Sequence, residues 1–274
     1  MPRASVLACP ASVKGVLTAR EAAAALARGL GDCDQLPLAD GGEGTADVVP
    51  GVVEAASVIP FDPARLDPFT SSRPFGELLA SLHVDRLVVG LGGTANMDGG
   101  TGLLEVLDAL PPTTVLCDVG TTLYDAPRLY GPQKGATPEQ VVELEARFRA
   151  DTRLEPYAHL PGSGAAGGLG AALASLGAEL VPGAATVLDL LGFDATAYRL
   201  VVTGEGRVDA TTAEGKVPFE VARRCRAAGV RCIVFGGLVT RQLPGVETVA
   251  LSGDPARAAA DLEELGARLL DAAG

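Results

Sequence analysis

Short apolar runs recur along the chain, and each leads into glycine and then into a stretch where Ala and Leu return with helical period. "SVLAC" precedes "PASVKG" and a helical pattern over roughly 18–29. "RLVVGLGG" precedes "TANMDGG" and a second pattern near 102–110, and "TVLCDV" reads as a further buried strand. "YRLVVTGEG" precedes a loop and the helix "VPFEVARRCRAAG", and "VRCIVFGG" follows at once. Continuous apolar strands alternating with helices predict an α/β fold around a mainly parallel sheet with both faces covered. Ligands then gather at the C-terminal ends of the strands, where the glycine loops lie.

The middle of the chain differs. "GPQKGATPEQVVELEARFRA" predicts a loop and an amphipathic helix starting after Thr137, with Pro138 in its first turn and Glu139 nearby. "PGSGAAGGLGAAL" is another glycine loop leading into a helix, and "DLEELGARLLDAAG" is a terminal helix with a solvated face. No repeat of solenoid length is present. The expected organisation is two α/β lobes sharing one cleft, split as 1–75 with 195–274 against 76–194.

Composition narrows the function. The 274 residues are 47% hydrophobic but only 4% aromatic, so the core is built from Ala, Val and Leu. Net charge is −12 with no basic stripe, which argues against nucleic acid as a partner. An acidic protein that takes an anion must do so with local amides, a few cations or bound metal. Five scattered cysteines, none in a CxxC pair, predict reduced thiols and a cytoplasmic protein. The N-terminus lacks the long apolar region of a signal, and the uncharged stretch 160–178 is too rich in glycine for a membrane span.

Four glycine loops share one pattern, in which glycines alternate with polar residues: "ADGGEGTAD", "GGTANMDGG", "GSGAAGGLG" and "TGEGRVDATTAEGK". Glycines expose backbone N–H groups to an anion, and a following helix adds its positive end. Asp40, Glu43, Asp98, Glu205 and Asp209 offer the oxygen ligands that Mg²⁺ requires. Lys14, Lys134, Arg207 and Lys216 can neutralise charge on a transferred phosphoryl group. No Walker A sequence occurs, and no GxGxxG with a ribose carboxylate follows the first strand. His83 and His159 stand isolated, and Ser163 is not in a GxSxG elbow.

In order, "PLADGGEGT" at 37–45, "GPQKGAT" at 131–137, "PGSGAAGGLGAAL" at 161–173 and "VVTGEGRVDATTAEGKVP" at 201–218 resemble the motifs of the bacterial glycerate kinases, over nearly the whole chain. The resemblance implies a two-lobe glycerate kinase-like fold with a Rossmann-like sheet domain, a second smaller α/β domain and the active cleft between them. It implies ATP, Mg²⁺ and a small hydroxy acid, D-glycerate, as substrate. A homodimer is compatible with the sequence. Lys14, Asp40, Glu43, Asp98, Lys134, Arg207 and Asp209 become the catalytic candidates, with Asp40, Glu43 and Glu205 on the metal. Ligand-binding positions fall at Ser12, at Gly41, Gly42, Gly44 and Thr45, and at Gly92, Gly93, Thr94, Gly99 and Gly100. Further ones are Gln133, then Gly164, Gly167 and Gly168, then Thr203, Gly204, Gly206 and Lys216.

The chain also departs from the pattern. Ala11 stands where the family has Asp, Asn96-Met97 where it has Thr-Asn, and Gly120-Thr121-Thr122 where it has Asp-Asn-Pro. Arg73-Pro74-Phe75-Gly76 replaces a flexible Tyr-Gly-Thr-Gly turn, and a segment is missing after Val49. These changes are expected at loops lining the cleft. The alternative is therefore an impaired homologue that binds ligand or regulates.

Overall fold

The computed structural model describes residues 4–209, 212 and 215–271. Its strands are β1 (Ala4–Ala8), β2 (Asp34–Gln35), β3 (Val52–Glu54), β4 (Leu87–Gly90), β5 (Thr113–Cys117), β6 (Glu179–Pro182), β7 (Tyr198–Val208), β8 (Arg231–Val239) and β9 (Glu247–Ala250). Its helices are α1 (Ala19–Leu30), α2 (Thr45–Val48), α3 (Arg73–Ser81), α4 (Thr101–Leu104), α5 (Ala126–Tyr130), α6 (Pro138–Ala150), α7 (Ala165–Ser175), α8 (Gly183–Leu190), α9 (Val217–Ala227) and α10 (Ala258–Asp271).

The fold is α/β with two parallel sheets, in two compact units. Unit 1 comprises Met1–Asp40, Asp47–Val49 and Val187–Gly274, and unit 2 comprises Gly41–Ala46 and Pro50–Thr186. The chain thus leaves the first unit at Gly41, well before the expected 75, because β3 pairs with β4 and takes its surroundings into unit 2. It returns at Val187, ahead of the expected 195. Unit 2 has the smaller sheet, four strands against five, but not the shorter stretch of chain.

In unit 1 the parallel order is β2-β1-β7-β8-β9. Its core joins Val6, Leu26, Val202, Ile233, Phe235 and Leu262. Thr18 starts α1 with a capping box: its hydroxyl accepts from Glu21 N, and Glu21 accepts from Thr18 N at 2.8 Å. A Cβ at Gly29 of α1 would fall 2.0 Å from Glu263 O of α10, so the absence of a side chain lets these two helices touch.

In unit 2 the order is β3-β4-β5-β6, also parallel. One core gathers Phe75, Val89, Leu91, Leu103, Val115 and Leu169. A second gathers Met97, Leu123, Leu144, Phe148, Ala171 and Ala172. Thr137 caps α6 in the same way as Thr18 caps α1, with Gln140 as the reciprocal partner.

Three expected elements change. The helix near 102–110 shrinks to α4, and the chain then reaches β5 through Pro111-Pro112, which cannot continue a helix. "TGEGR" is not a loop but part of β7, paired with β8 as Gly204↔Phe235 and Glu205↔Gly236. The helix assigned to α7 turns regular only after Gly168: Ala166, Gly167 and Gly168 have φ of 50°, 61° and 97°. No helix of the described residues is long and apolar enough to cross a membrane.

Candidate active site

Unit 1 has its topological switch point between β1 and β7: the chain leaves β1 toward β2 on one side, while β7 to β9 extend on the other. Ligands of open parallel sheets bind outside the strand ends at such a point. The loop after β1 is fastened there by Ala11 N donating to Gly204 O at 2.9 Å, and by Thr203 Oγ1 donating to Cys9 O at 2.8 Å. Ser12 and Lys14 follow, and Lys14 is exposed on a tight turn closed by Val13 and Leu17. A Cβ at Gly206 would sit 3.3 Å from Lys14 N, so the glycine keeps this approach open.

Glu205 projects beside this loop with its side chain 14% exposed. It accepts from Thr212 Oγ1 at 2.7 Å and lies 3.8 Å from Lys216 Nζ. Burial pushes its carboxyl pKa up; Lys216 and Thr212 pull it down, and the charges of Asp40 and Asp209 raise it further. Asp40, Glu205 and Asp209 therefore share one electrostatic neighbourhood. Arg207 is exposed and pairs with Asp209 at 3.2 Å. Lys216 also occupies the N-cap position of α9. Residues 210, 211, 213 and 214 of the last motif lie outside the described residues.

Thr203 and Gly204, expected to bind ligand, lie within strand β7. The Thr203 hydroxyl is spent on Cys9, and a Cβ at Gly204 would fall 2.3 Å from Phe235 O, so this glycine serves strand packing.

Unit 2 builds a second rim at the ends of β4 and β5. Gly41 has φ 91°, and a Cβ there would meet Leu116 at 2.8 Å. Gly41 O accepts from Gly92 N at 3.3 Å, laying the 41–46 loop across the strand ends. A Cβ at Gly92 would fall 2.7 Å from Asp118 Oδ2 and 2.5 Å from Gly42 Cα. The Thr45 hydroxyl closes its own turn onto Gly42 O at 2.6 Å, while Glu43 is exposed beside Gly93 and Gly44 lies in open space. Thr94 is buried in a bridge to Pro60.

Lys134 is the one expected cation in this unit that the fold buries, at 7% exposure, while its neighbour Gln133 is exposed. Its Nζ donates to Asn96 O at 2.7 Å. Burial lowers its pKa from 10.5 to about 8, and the charges of Asp118 and Asp98 oppose that fall. A buried ammonium among glycine loops is a place for an anionic group.

Asp98 is placed differently from its expected part as a base. Its Oδ2 accepts from Ser72 N and Oγ, both at 2.7 Å, and from Gly102 N at 3.1 Å. Its Oδ1 accepts from Gly100 N at 3.0 Å and Asn96 Nδ2 at 3.3 Å. With both oxygens so occupied it fixes the starts of α3 and α4. Several glycine amides expected to cradle ligand are likewise spent on loop packing. Gly99 N donates to Gly167 O, Gly164 N to Thr121 O and Gly168 N to Gly164 O, at 2.9, 2.9 and 3.3 Å.

Two departures from the motif pattern are taken up in packing. Met97 is fully buried in the second core of unit 2. Pro74 sits in the first turn of α3, where proline is well tolerated, and Phe75 is fully buried. Gly120-Thr121-Thr122 leads into helical structure, with the Thr122 hydroxyl on Asp125 at 2.7 Å.

The model of the Glycerate kinase family matches residues 6–62, 49–112 and 109–263. The chain belongs to the glycerate kinase family. A glycerate 2-kinase of Escherichia coli (strain K12) is 31% identical over 331 aligned positions, covering 86% of this chain and 85% of the relative. That span exceeds the 274 residues present here, so the alignment opens gaps. A glycerate kinase of Bacillus subtilis (strain 168) is 30% identical, with 86% and 85% covered. A crystal structure from Salmonella typhimurium LT2 assigned as glycerate kinase 2 superposes with TM-score 0.77 at 27% identity, covering 98% of both chains. As a member of the glycerate kinase family, the protein is a kinase, acting on a small molecule.

Two residues of this kinase escape the motif reading. Asp118 follows β5 directly and stands against Gly92; its position at a strand end is the signal that marks it. Asn96 carries Lys134 and is taken up below. Among the described residues no three His, Cys, Asp or Glu side chains form a ready metal cage.

Proposed function

We propose that the protein transfers the terminal phosphoryl group of ATP to D-glycerate, forming phosphoglycerate with Mg²⁺ as cofactor. The observation that carries this reading is Lys134, a buried cation among glycine loops in a protein of net charge −12. A small anionic acceptor is repelled at long range and is held where a desolvated ammonium awaits it. Lys134, aided by the amide of Gly93, holds the glycerate carboxylate.

The donor set of unit 1 suits a phosphate-bound magnesium. Such an ion takes one or two carboxylates and completes its shell with phosphate and water, so a three-carboxylate cage is not required. Asp40 and Glu205 would hold it, while Glu43 is exposed and is the weaker ligand candidate. Bound there, the metal would screen the phosphate charge. Lys14, Lys216 and Arg207 add positive charge for the phosphates. Phosphoryl transfer depends chiefly on positioning and charge, and with Asp98 committed to structure, Asp209 is the remaining carboxylate for the hydroxyl proton. Five free thiols accord with a cytoplasmic setting.

The binding-only alternative loses two of its supports, since Met97 is core and Pro74 starts a helix. ADP release with ATP and Mg²⁺ tests the proposal, using D-glycerate, L-glycerate, tartronate and no acceptor. Turnover that needs D-glycerate and vanishes in Asp40→Ala is the expected result. Folded protein that binds ATP or glycerate without turnover would overturn it in favour of a binding module.

A further inference from the structure

Asn96 is fully buried in unit 2, and its side chain is only half satisfied. Nδ2 donates to Ala166 O at 2.8 Å and to Asp98 Oδ1 at 3.3 Å. Both partners are acceptors, so turning the amide over would set its oxygen against them. The orientation is thereby fixed, and Oδ1 is left as a buried acceptor with no hydrogen-bond partner among the described residues. Such an oxygen bears its desolvation cost until a donor arrives.

Lys134 supplies the other half. Its ammonium has three protons, and its contact with Asn96 O is the one hydrogen bond it makes among the described residues. Asn96 thus combines an unused acceptor with a lysine that has donors to spare. A group that accepts from the lysine and donates to the amide oxygen is a hydroxyl. The second spare proton of the ammonium suits an anion attached close by.

We infer that Asn96 is a specificity residue for an α-hydroxy carboxylate. Its Oδ1 accepts a hydrogen bond from the hydroxyl beside the carboxylate, while Lys134 donates to that hydroxyl and to the carboxylate. The inference rests on the glycerate kinase reading. An amide oxygen takes no proton at neutral pH, so the role is selection, not acid–base chemistry.

Calorimetry of wild type and Asn96→Ala with D-glycerate and with 3-hydroxypropionate tests it, because the second acid lacks only that hydroxyl. ATP turnover and melting temperature are measured beside it. Wild type should prefer D-glycerate about tenfold, and Asn96→Ala should weaken D-glycerate by about that factor while leaving 3-hydroxypropionate unchanged. Loss of the Ala166 hydrogen bond lowers the melting temperature but does not move this ratio. A variant that keeps the preference, or weakens both acids equally, overturns the assignment while wild-type turnover leaves the kinase reading intact. Wild type that neither binds nor phosphorylates D-glycerate removes that reading and the inference with it. If Asn96→Ala does not fold, Asn96→Leu carries the same comparison, because it keeps the size of the side chain and removes the acceptor.

Discussion

Asp98 and Glu205 have similar carboxylates in similar glycine-rich company, and the fold puts them to opposite uses. Asp98 in unit 2 accepts five hydrogen bonds, three of them from backbone amides of Ser72, Gly100 and Gly102. Among the described residues Glu205 in unit 1 accepts one, from Thr212, and its nearest cation is Lys216 at 3.8 Å. The first is held still by its neighbours. The second is half-buried with two acidic neighbours, and its pKa is raised. A carboxylate saturated by amides belongs to the scaffold, whereas one left short of partners is available to a metal or a substrate.

The sharpest break of this contrast swaps the two. Glu205→Gln should lower kcat about a hundredfold with little change in Tm, because an electrostatic group is lost and a burial cost is relieved. Asp98→Ala should cost about 3 kcal/mol in urea unfolding, by orphaning the amides it collects. Activity loss from Asp98→Ala with full stability, or the converse for Glu205→Gln, would reverse the assignment. Removal of the raised Glu205 carboxyl should also flatten stability with pH. A raised folded pKa means that the native state binds the extra proton, so stability contributed at low pH is lost as pH rises through that pKa.

Glycines sharpen the comparison at smaller magnitude. Gly167→Ala places a methyl 2.1 Å from Asn96 O at φ 61°, and should cost about 3 kcal/mol in the same unfolding assay. Gly44→Ala, at φ 89° with nothing nearby, meets only the backbone penalty of about 1 kcal/mol. Equal costs would show that the 96–100 and 164–168 loops do not depend on their close contact.

A further effect is in pH. With Lys134 lowered to about 8, the unfolded chain binds the proton that the native state has lost between about 8 and the ordinary 10.5. Stability should therefore rise with pH across that window, and Lys134→Met should remove the rise. kcat/KM should fall through the same lower value as the ammonium discharges.

Much of the fold could be read in advance, because continuous apolar runs and capping residues such as Thr18 and Thr137 act locally. Strands such as β2, β6 and β9 could not: "DQ", "ELVP" and "ETVA" are short or half polar and exist through pairing with neighbours. Glycine was ambiguous for the same reason. In "TGEG" it clears room for Phe235 inside a sheet, while in "DGGEG" it carries a loop over strand ends, and sequence composition does not separate these uses. Lys134 was visible in its motif, but its burial was not. Asn96 was visible only as a departure, since an unpaired oxygen arises from where Ala166 and Asp98 happen to stand.

The buried ammonium of Lys134 is the centre of the proposed site, and steady-state phosphorylation of D-glycerate by Lys134→Met at pH 7 tests it most directly. The expected result is a loss of about a hundredfold in kcat/KM with Tm unchanged or raised, since a working cation and its burial cost go together. Near wild-type kcat/KM in a folded Lys134→Met protein would contradict that role.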